Sequence, residues 1–360
     1  MGWPTAVIKG WGMEEVTPTT GQEQVADGAS ATHAPTDPRA LPAIVLAGDG
    51  DDAKAVCGDS KVFLEIGGWP LVVHVILALQ EVPLVSEVWV VGNAARLEAS
   101  LGKTEIQERL TKPLHILPQG RNLYENAWGT YRQALAGLGN PPRDPLPAEL
   151  DRRFFYLSGD LPFCFSEELT AFLTRAMDID ADYILGLVEE HSLADFLPRE
   201  AGEAGIIPAY YNATEGRYRQ SNLQLAKPAR IGCRRVIGDL YHFRYQRKLI
   251  NMLNLAWGLA HVPRGAVGLV WLFLKVHLAA YFHRRGSDSL SNWIRRFITM
   301  DKCAKAMGLG IQSSLRFAVT ELGGCAIDID TEHDYLAVRA RYDEWLEAQQ
   351  RRIEKSKELS

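Results

Sequence analysis

Two short segments of this 360-residue chain contain residue types that could bind or transfer a phosphate group. One has glycines followed by a lysine, and the other has an aspartate after an apolar run. In the first, an apolar run (43–48) leads through an acidic glycine loop to Lys61. Glycine lets backbone N–H groups approach a phosphate, and a following lysine can meet its charge. In the second, LSGDLPF (157–163), Asp160 follows a buried run, where a carboxylate can hold Mg²⁺ against a triphosphate. In isolation, the first pattern more often marks a glycine turn with a surface lysine, and the second is common for a turn aspartate.

A third segment, AIDIDTEHDYLAV (326–338), adds carboxylates near the end of the chain. Its alternation of isoleucine and aspartate predicts a strand that sends Asp328 and Asp330 to the same face. Asp328 could then complete a metal site with Asp160. We interpret Asp330 and Asp334 as helix-start residues ahead of a final amphipathic helix.

The elements that must position these segments alternate along the chain. Apolar runs predict strands at 43–48, 87–92, 114–119, 154–160, 182–189, 315–319 and 325–329. Helices are predicted at 70–79, at 122–138, after Ser166 as N-cap, and from about Thr331. We therefore expect an α/β fold with a mostly parallel sheet flanked by helices. Ligands bind beyond the carboxyl ends of such strands, where several of these runs end in glycine, glutamine or aspartate.

Four motifs in this order resemble those of nucleotidyltransferases with a molybdenum-cofactor guanylyltransferase-like (MobA-like) domain. They are LAGD (46–49), Lys61 with LEIGGWPL (64–71), GDLP (159–162) and DIDTEHD (328–334), and the resemblance covers roughly 41–225 and 315–345. It implies a Rossmann-like, GT-A-type fold of the nucleotide-diphospho-sugar transferase type. The implied enzyme is a nucleotidyltransferase (EC 2.7.7 type). It would move a nucleoside monophosphate from a nucleoside triphosphate to a phosphorylated small-molecule acceptor and release pyrophosphate.

The resemblance also implies roles for individual residues. Lys61, Asp160 and Asp328 would be catalytic, and the two aspartates would hold Mg²⁺ or Mn²⁺. The nucleotide-binding positions would be Leu46, Ala47, Gly48, Asp49, Gly50, Lys61, Gln119, Gly120, Asn126 and Gly159. Asn222 would contact the substrate on the acceptor side. Both asparagines could instead be cap or turn residues that are satisfied by backbone groups.

The first loop departs from the family pattern, which has a second glycine and a basic residue there. This chain has Asp49, Asp51 and Asp52, with Lys54 as the nearest base. Two like charges 4 Å apart repel by about 4 kcal/mol at an effective dielectric constant of 20. The side chains therefore point to water, are bridged by a metal, or weaken the activity.

The chain divides by composition into a disordered tail (1–40), a nucleotidyltransferase core (41–226), a basic helical insertion (227–310) and a return to the core with a C-terminal helix (311–350). Residues 227–300 hold 13 Lys or Arg against two Asp, a local charge of +11, whereas the rest of the chain sums to −16. The insertion could form a pocket for a phosphorylated acceptor, or lie on a membrane surface as a peripheral contact. We favour an ordinary helical subdomain or dimer interface.

Composition excludes several other classes. A net charge of −5 gives no global case for nucleic-acid binding, and no apolar stretch reaches the ~20 residues of a membrane span. The five cysteines form no Cys-x-x-Cys pair, which argues against a zinc ribbon, an iron–sulfur site or a disulfide framework. We expect a cytoplasmic protein.

Two alternative functions stay open. A GT-A-type glycosyltransferase also uses a metal-binding Asp-x-Asp, but usually in the middle of its chain rather than near the C-terminus. A non-catalytic nucleotide-binding protein of the same fold would explain the acidic first loop. Fold alone does not decide between them, because function belongs to the site.

Overall fold

The structure is a computed structural model, and it describes residues 37–49, 55–200, 202–233, 275, 278, 281–282 and 285–359. Most of the predicted tail lies outside these residues, as do Gly50, Asp51, Asp52 and Lys54 of the first loop. Much of the predicted basic insertion lies outside them too. The domain boundaries read from composition therefore stay predictions.

The strands are short and mostly apolar. They are β1 (Leu41–Ala47), β2 (Glu65–Ile66), β3 (Trp69–Pro70), β4 (Val85–Gly92), β5 (Leu114–Pro118), β6 (Phe154–Ser158), β7 (Tyr183–Glu189), β8 (Tyr211–Asn212), β9 (Arg217–Ala226) and β10 (Leu315–Thr320). In the large sheet the order is β10-β7-β9-β6-β1-β4-β5, with β8 beside β9. All neighbours pair in parallel except at β8 and β9, which are antiparallel.

Helices cover both faces of this sheet. They are α1 (Leu71–Gln80), α2 (Ala94–Leu101), α3 (Thr104–Gln107), α4 (Leu123–Ala136), α5 (Ser166–Met177), α6 (Asp288–Arg295), α7 (Met300–Ile311) and α8 (Glu332–Leu359). Strand alternation divides the core: Ala43 and Val45 pack with α1 and α5, whereas Ile44 packs with α4 and α7. The predicted α/β fold with a mostly parallel sheet flanked by helices is confirmed.

The antiparallel strand β9 was not among the predicted strands. Its sequence, RYRQSNLQLA, is polar in its first half, so it lacks the apolar run that marks the parallel strands. Because β9 runs against its neighbours, its first residues lie at the edge where β6 and β7 end. The strand therefore delivers polar side chains to the ligand-binding edge of the sheet.

The predicted strand at 325–329 is wrong. Residues Gly324–Ala326 form a 3₁₀ turn, and the segment that follows pairs with no strand of the described sheet. The alternation itself has a different cause: Ile327 and Ile329 are fully buried in a cluster with Trp345 of α8. An extended segment outside the sheet can bury alternate side chains as a strand does.

The predicted N-cap at Ser166 is also wrong by one residue. Phe165 occupies the N-cap of α5 without a side-chain cap, and the Ser166 hydroxyl donates to Glu81 instead. By contrast, Asn122 caps α4 by accepting from the Glu125 N–H at 2.9 Å. No helix among the described residues is long and apolar enough to cross a membrane.

Candidate functional site

The ends of β1 and β6 form the floor of the candidate site. The Gly159 N–H donates to the Leu46 carbonyl at 3.0 Å, which extends the pairing of these strands to their carboxyl ends. The turn after β1 and the aspartate after β6 therefore leave the sheet side by side. This is the edge where ligands bind in parallel α/β sheets.

Lys61 lies against two carboxylates at this edge. Its Nζ atom is 3.3 Å from Oδ2 of Asp160 and 2.8 Å from Oδ1 of Asp330. The lysine opens a 3₁₀ turn, Lys61–Phe63, whose Val62 and Phe63 are buried and fix the turn on the sheet. Only 11% of the Lys61 side chain is exposed, so the side chain is largely shielded from solvent. The structure thus brings together Lys61 and Asp160, which the sequence motifs implied to act together.

We interpreted Asp330 from the sequence as a helix-start residue, and the structure gives it a different role. Its carboxylate meets Lys61, whereas Thr331 and Asp334 make the hydrogen bonds that begin α8. The Thr331 hydroxyl donates to Asp334 at 2.8 Å and accepts from the Asp334 N–H at 3.2 Å. The helix-start interpretation therefore holds for Asp334 and is corrected for Asp330.

Asp328 is held by Arg219 of β9. The guanidinium Nη2 donates to Oδ1 of Asp328 at 2.7 Å, and its Nε donates to the Ala326 carbonyl at 2.7 Å. Both side chains are largely buried. Arg219 therefore fixes the carboxylate and the backbone that carries it.

The pKa of Asp160 reports how these charges combine. Burial raises it, and the nearby Asp328 and Asp330 carboxylates raise it further. The Lys61 ammonium and a hydrogen bond from the Ser158 hydroxyl act in the opposite direction but do not cancel the effect of burial. Asp160 and Asp328 are thus close enough for their charges to interact.

Two hydrogen bonds and one close backbone approach fix the 3₁₀ turn that precedes Asp328. Oε2 of Glu168 accepts from the Cys325 N–H at 3.0 Å, and Nδ2 of Asn222 donates to the Cys325 carbonyl at 3.1 Å. Gly324 lies so close to the Phe163 carbonyl that an added Cβ would be 2.1 Å from its oxygen. The segment leading to Asp328 is therefore rigidly placed without belonging to the sheet.

Glu168 is a buried carboxyl group on the first turn of α5. Burial raises its pKa to about 7, although the hydrogen bond from the Cys325 N–H lowers it. Its Oε1 atom has no hydrogen-bond partner within the part of the chain that the structure describes. Glu168 is thus a titratable group that holds the backbone segment leading to Asp328.

Asn222 occupies an irregularity in β9. Its φ angle is +57°, in the left-handed region, and the register between β7 and β9 shifts opposite it, between Leu185 and Leu187. A bulge of this kind redirects side chains next to a binding site. The sequence suggested a substrate contact for Asn222, but the structure gives its amide a backbone partner, the Cys325 carbonyl. A direct substrate role for Asn222 stays a prediction.

The implied nucleotide-binding residues meet at the ends of β1 and β5. The Asp49 N–H donates to Oε1 of Gln119 at 2.8 Å, and Nε2 of Gln119 donates to Oδ1 of Asp49 at 2.7 Å. The Gly120 N–H donates to Oδ1 of Asn126 at 2.6 Å. A Cβ on Gly48 would be 2.9 Å from Nδ2 of Asn126, so a larger residue there would require the Asn126 side chain to shift.

This arrangement shows where the Asp49 carboxylate of the acidic loop points. Besides Gln119, it accepts from Nδ2 of Asn93 at 3.2 Å, and it lies 4.0 Å from Nη1 of Arg96. Its charge is therefore turned toward β5 and α2. At the same time, both polar ends of the Gln119 side chain are engaged by Asp49.

The donor set fits a hard divalent cation. Mg²⁺ in nucleotide sites is commonly bound by one or two carboxylates together with substrate phosphates. Asp160 and Asp328 supply two carboxylates, and their mutual repulsion is what a cation between them would relieve. Among the described residues, no group of three or more His, Cys, Asp or Glu side chains could hold a metal by itself. Substrate phosphates would have to complete the coordination.

Sequence reasoning missed several residues of this site. Arg219, Ser158 and Glu168 were not singled out as site residues, although each contacts or supports an implied metal carboxylate. One signal was available: Arg217 and Arg219 alternate in a polar stretch beside Asn222. The buried carboxyl of Glu168 had none, because an acidic residue in a first helical turn is ordinarily exposed.

Comparison with known proteins shows a fold that this chain shares with solved structures, and it does not assign the chain to a family. No protein-family model matches the chain, and no curated protein matches it. A solved structure described as a hypothetical transferase from Thermus thermophilus is 20% identical, with a TM-score of 0.51. The match covers 82% of this chain and 99% of that one. At this identity the similarity shows a shared α/β fold.

Two further solved structures are more distant. A 4-diphosphocytidyl-2C-methyl-D-erythritol synthase from Anaerococcus prevotii is 10% identical, with a TM-score of 0.40, and the match covers 85% of this chain and all of that one. A CMP:2-keto-3-deoxy-manno-octonic acid synthetase complexed with CTP is 15% identical, with a TM-score of 0.41. The match covers 86% of this chain and all of that one. With TM-scores below 0.5, neither bears on the function of this chain.

Proposed function

We propose that this protein is a nucleotidyltransferase that moves a nucleoside monophosphate from a nucleoside triphosphate to a phosphorylated small molecule, with release of pyrophosphate. The observation that carries the proposal is the position of the Lys61 ammonium, 3.3 Å from Asp160 and 2.8 Å from Asp330. It lies where β1 and β6 end, and Asp328 is close enough for its charge to raise the pKa of Asp160. The fold shared with the Thermus transferase and the MobA-like order of motifs support the proposal.

The chemistry needs little beyond positioning and neutralisation of charge. An ionised phosphate oxygen of the acceptor attacks the α-phosphorus in line, a new P–O bond forms, and the bond to the bridging oxygen of pyrophosphate breaks. The acceptor oxygen is already anionic, so no general base is required. Bound Mg²⁺ would supply charge neutralisation and orientation of the triphosphate.

The residues of the chain have separate tasks in this scheme. Lys61 would turn from its carboxylate partners to the phosphates and stabilise the charge that develops on the transferred group. Asp160 and Asp328 would hold the cation, and Arg219 would keep Asp328 in place. The glycine turn at Gly48 would let backbone N–H groups approach the nucleotide.

The deciding experiment is a matrix of the four common nucleoside triphosphates against phosphorylated acceptors, read by pyrophosphate release with Mg²⁺ or Mn²⁺. At least one pair should release pyrophosphate in equal amount to the nucleotidylated product. Asp160→Asn and Lys61→Met should each lower kcat by about a hundredfold or more, because their interactions strengthen in the transition state.

Matched controls keep the charge changes equal. Asp151→Asn alters an exposed aspartate at the opposite end of β6, which pairs with Arg230, and Lys305→Met alters an exposed lysine of α7, which pairs with Asp301. Both should retain parental activity. Hydrolysis or transfer of a nucleotide sugar without pyrophosphate release would instead identify a glycosyltransferase. Tight nucleotide binding with no turnover across the matrix would identify a non-catalytic protein.

A further inference from the structure

α6 and the turn that follows it (296–298) carry two sets of apolar side chains, one buried and one exposed. Ile294 and Ile298 pack inward against Phe282 and Cys303. Leu290 and Trp293 lie three positions apart on α6, Phe297 follows in the turn, and these side chains are 40%, 56% and 43% exposed. An exposed stripe of large apolar side chains is a common mark of an interaction surface.

Basic side chains border this exposed stripe. Nζ of Lys275 lies 5.5 Å from the ring centroid of Phe297, whose ring also contacts Trp293 at 5.4 Å. The Arg285 guanidinium lies 5.2 Å from the ring of Tyr281, which is itself 45% exposed. Aromatic rings with cations beside them form the pattern by which proteins sit at a lipid headgroup layer.

We propose that this aromatic–basic patch, made of Leu290, Trp293, Phe297 and Tyr281 with Lys275, Arg285 and Arg296, docks the protein onto an anionic lipid surface. The apolar side chains would enter the headgroup boundary, and the cations would meet anionic headgroups. The proposal is independent of the reaction catalysed at the sheet edge.

The distribution of charge favours a lipid surface as the partner of this patch, rather than a second copy of the chain or a nucleic acid. In the sequence, residues 227–300 carry a formal charge of +11 and the rest of the chain −16; the described cations of the patch, Lys275, Arg285 and Arg296, belong to this basic stretch, and an anionic surface attracts them. A second copy would bring like charges together across a two-fold interface. Leu278 and Leu290, both exposed, offer no stacking surface to nucleic-acid bases but suit an acyl boundary.

The test is sedimentation of the full-length protein with vesicles of phosphatidylcholine alone or with about a third phosphatidylglycerol. Binding should require the anionic lipid and should weaken when salt is raised from 0.1 M to 0.5 M, because exposed charges are then screened. The double variant Trp293→Ser/Phe297→Ser should bind at least about tenfold more weakly. Lys275→Gln/Arg285→Gln/Arg296→Gln should lose roughly a hundredfold.

The control is Leu138→Ser/Leu146→Ser, which alters two leucines of similar exposure between β5 and β6 and should bind as the parent does. An unchanged Tm would show that each variant is folded. Equal binding to both vesicle types, no binding to either, or equal loss in the control would overturn the proposal. So would a dimer, measured by sedimentation without lipid, that Trp293→Ser/Phe297→Ser dissociates, or a single-stranded oligonucleotide complex that the same variant abolishes.

Discussion

Arg219 donates through Nη2 to the Asp328 carboxylate at 2.7 Å, and the same guanidinium donates through Nε to the Ala326 carbonyl two residues earlier. Arg219 lies on the antiparallel strand, whereas Asp328 lies on a segment outside the sheet. The pair therefore joins two parts of the chain 109 positions apart and fixes a carboxylate of the candidate site. The geometry of Asp328 depends on a residue outside the family motifs.

Replacing Arg219 should damage both stability and catalysis. Arg219→Met leaves a largely buried carboxylate without this partner, which should lower the free energy of unfolding by about 3 kcal/mol. Urea denaturation measures this loss. Arg219→Lys keeps the charge but cannot make both hydrogen bonds, so its stability should be intermediate. Full stability in Arg219→Met would show that Asp328 does not depend on the guanidinium.

Glu168 should make stability depend on pH in an unusual direction. Its pKa is about 7 in the folded protein against 4.5 as the ordinary value, so the folded state holds the proton more tightly. Stability from this group is present below pH 4.5 and is lost as pH rises toward 7, by about 3 kcal/mol in total.

Glu168→Gln tests this prediction because glutamine stays neutral throughout. Relative to the parent, the variant should gain about 3 kcal/mol of unfolding free energy between pH 4.5 and pH 8, as measured by denaturation at several pH values. Glu167→Gln, on the adjacent partly exposed residue that pairs with Lys357, is the matched control and should show no such gain. A difference between Glu168→Gln and the parent that does not change with pH would mean that Glu168 titrates normally.

Asp49 should weaken nucleotide binding rather than assist it. Its carboxylate adds negative charge next to the proposed phosphate-contacting turn and accepts from Nε2 of Gln119, whereas Oε1 of Gln119 accepts from the Asp49 backbone N–H. Asp49→Ala should therefore tighten the Kd for nucleoside triphosphate by roughly fivefold, about 1 kcal/mol, by titration without acceptor. Asp144→Ala, an exposed aspartate paired with Arg132, is the control for net charge. Weaker binding in Asp49→Ala would indicate that the carboxylate instead takes part in holding a metal or the base.

The sequence predicted the parallel strands because they follow from local signals, and the family resemblance implied that Lys61 and Asp160 belong to one site. Buried parallel strands appear in a sequence as apolar runs, and ligand-binding residues lie at the carboxyl ends of such strands. It failed for β9 and for 325–329 because their structure depends on partners distant in the chain. Arg219 and Asn222 reach across to this segment, and no local periodicity encodes a contact of that kind.

Alanine substitutions at two glycines should distinguish a glycine needed for stability from one needed for nucleotide binding. A Cβ at Gly324 would lie 2.1 Å from the Phe163 backbone carbonyl, which cannot move freely, so Gly324→Ala should cost about 2 kcal/mol of stability and displace Asp328. A Cβ at Gly48 would meet the end of the Asn126 side chain at 2.9 Å, which can rotate away. Gly48→Ala should therefore unfold at nearly the parental denaturant midpoint but bind nucleotide more weakly. If Gly48→Ala binds nucleotide as the parent does, the turn after β1 is not the phosphate-contacting loop.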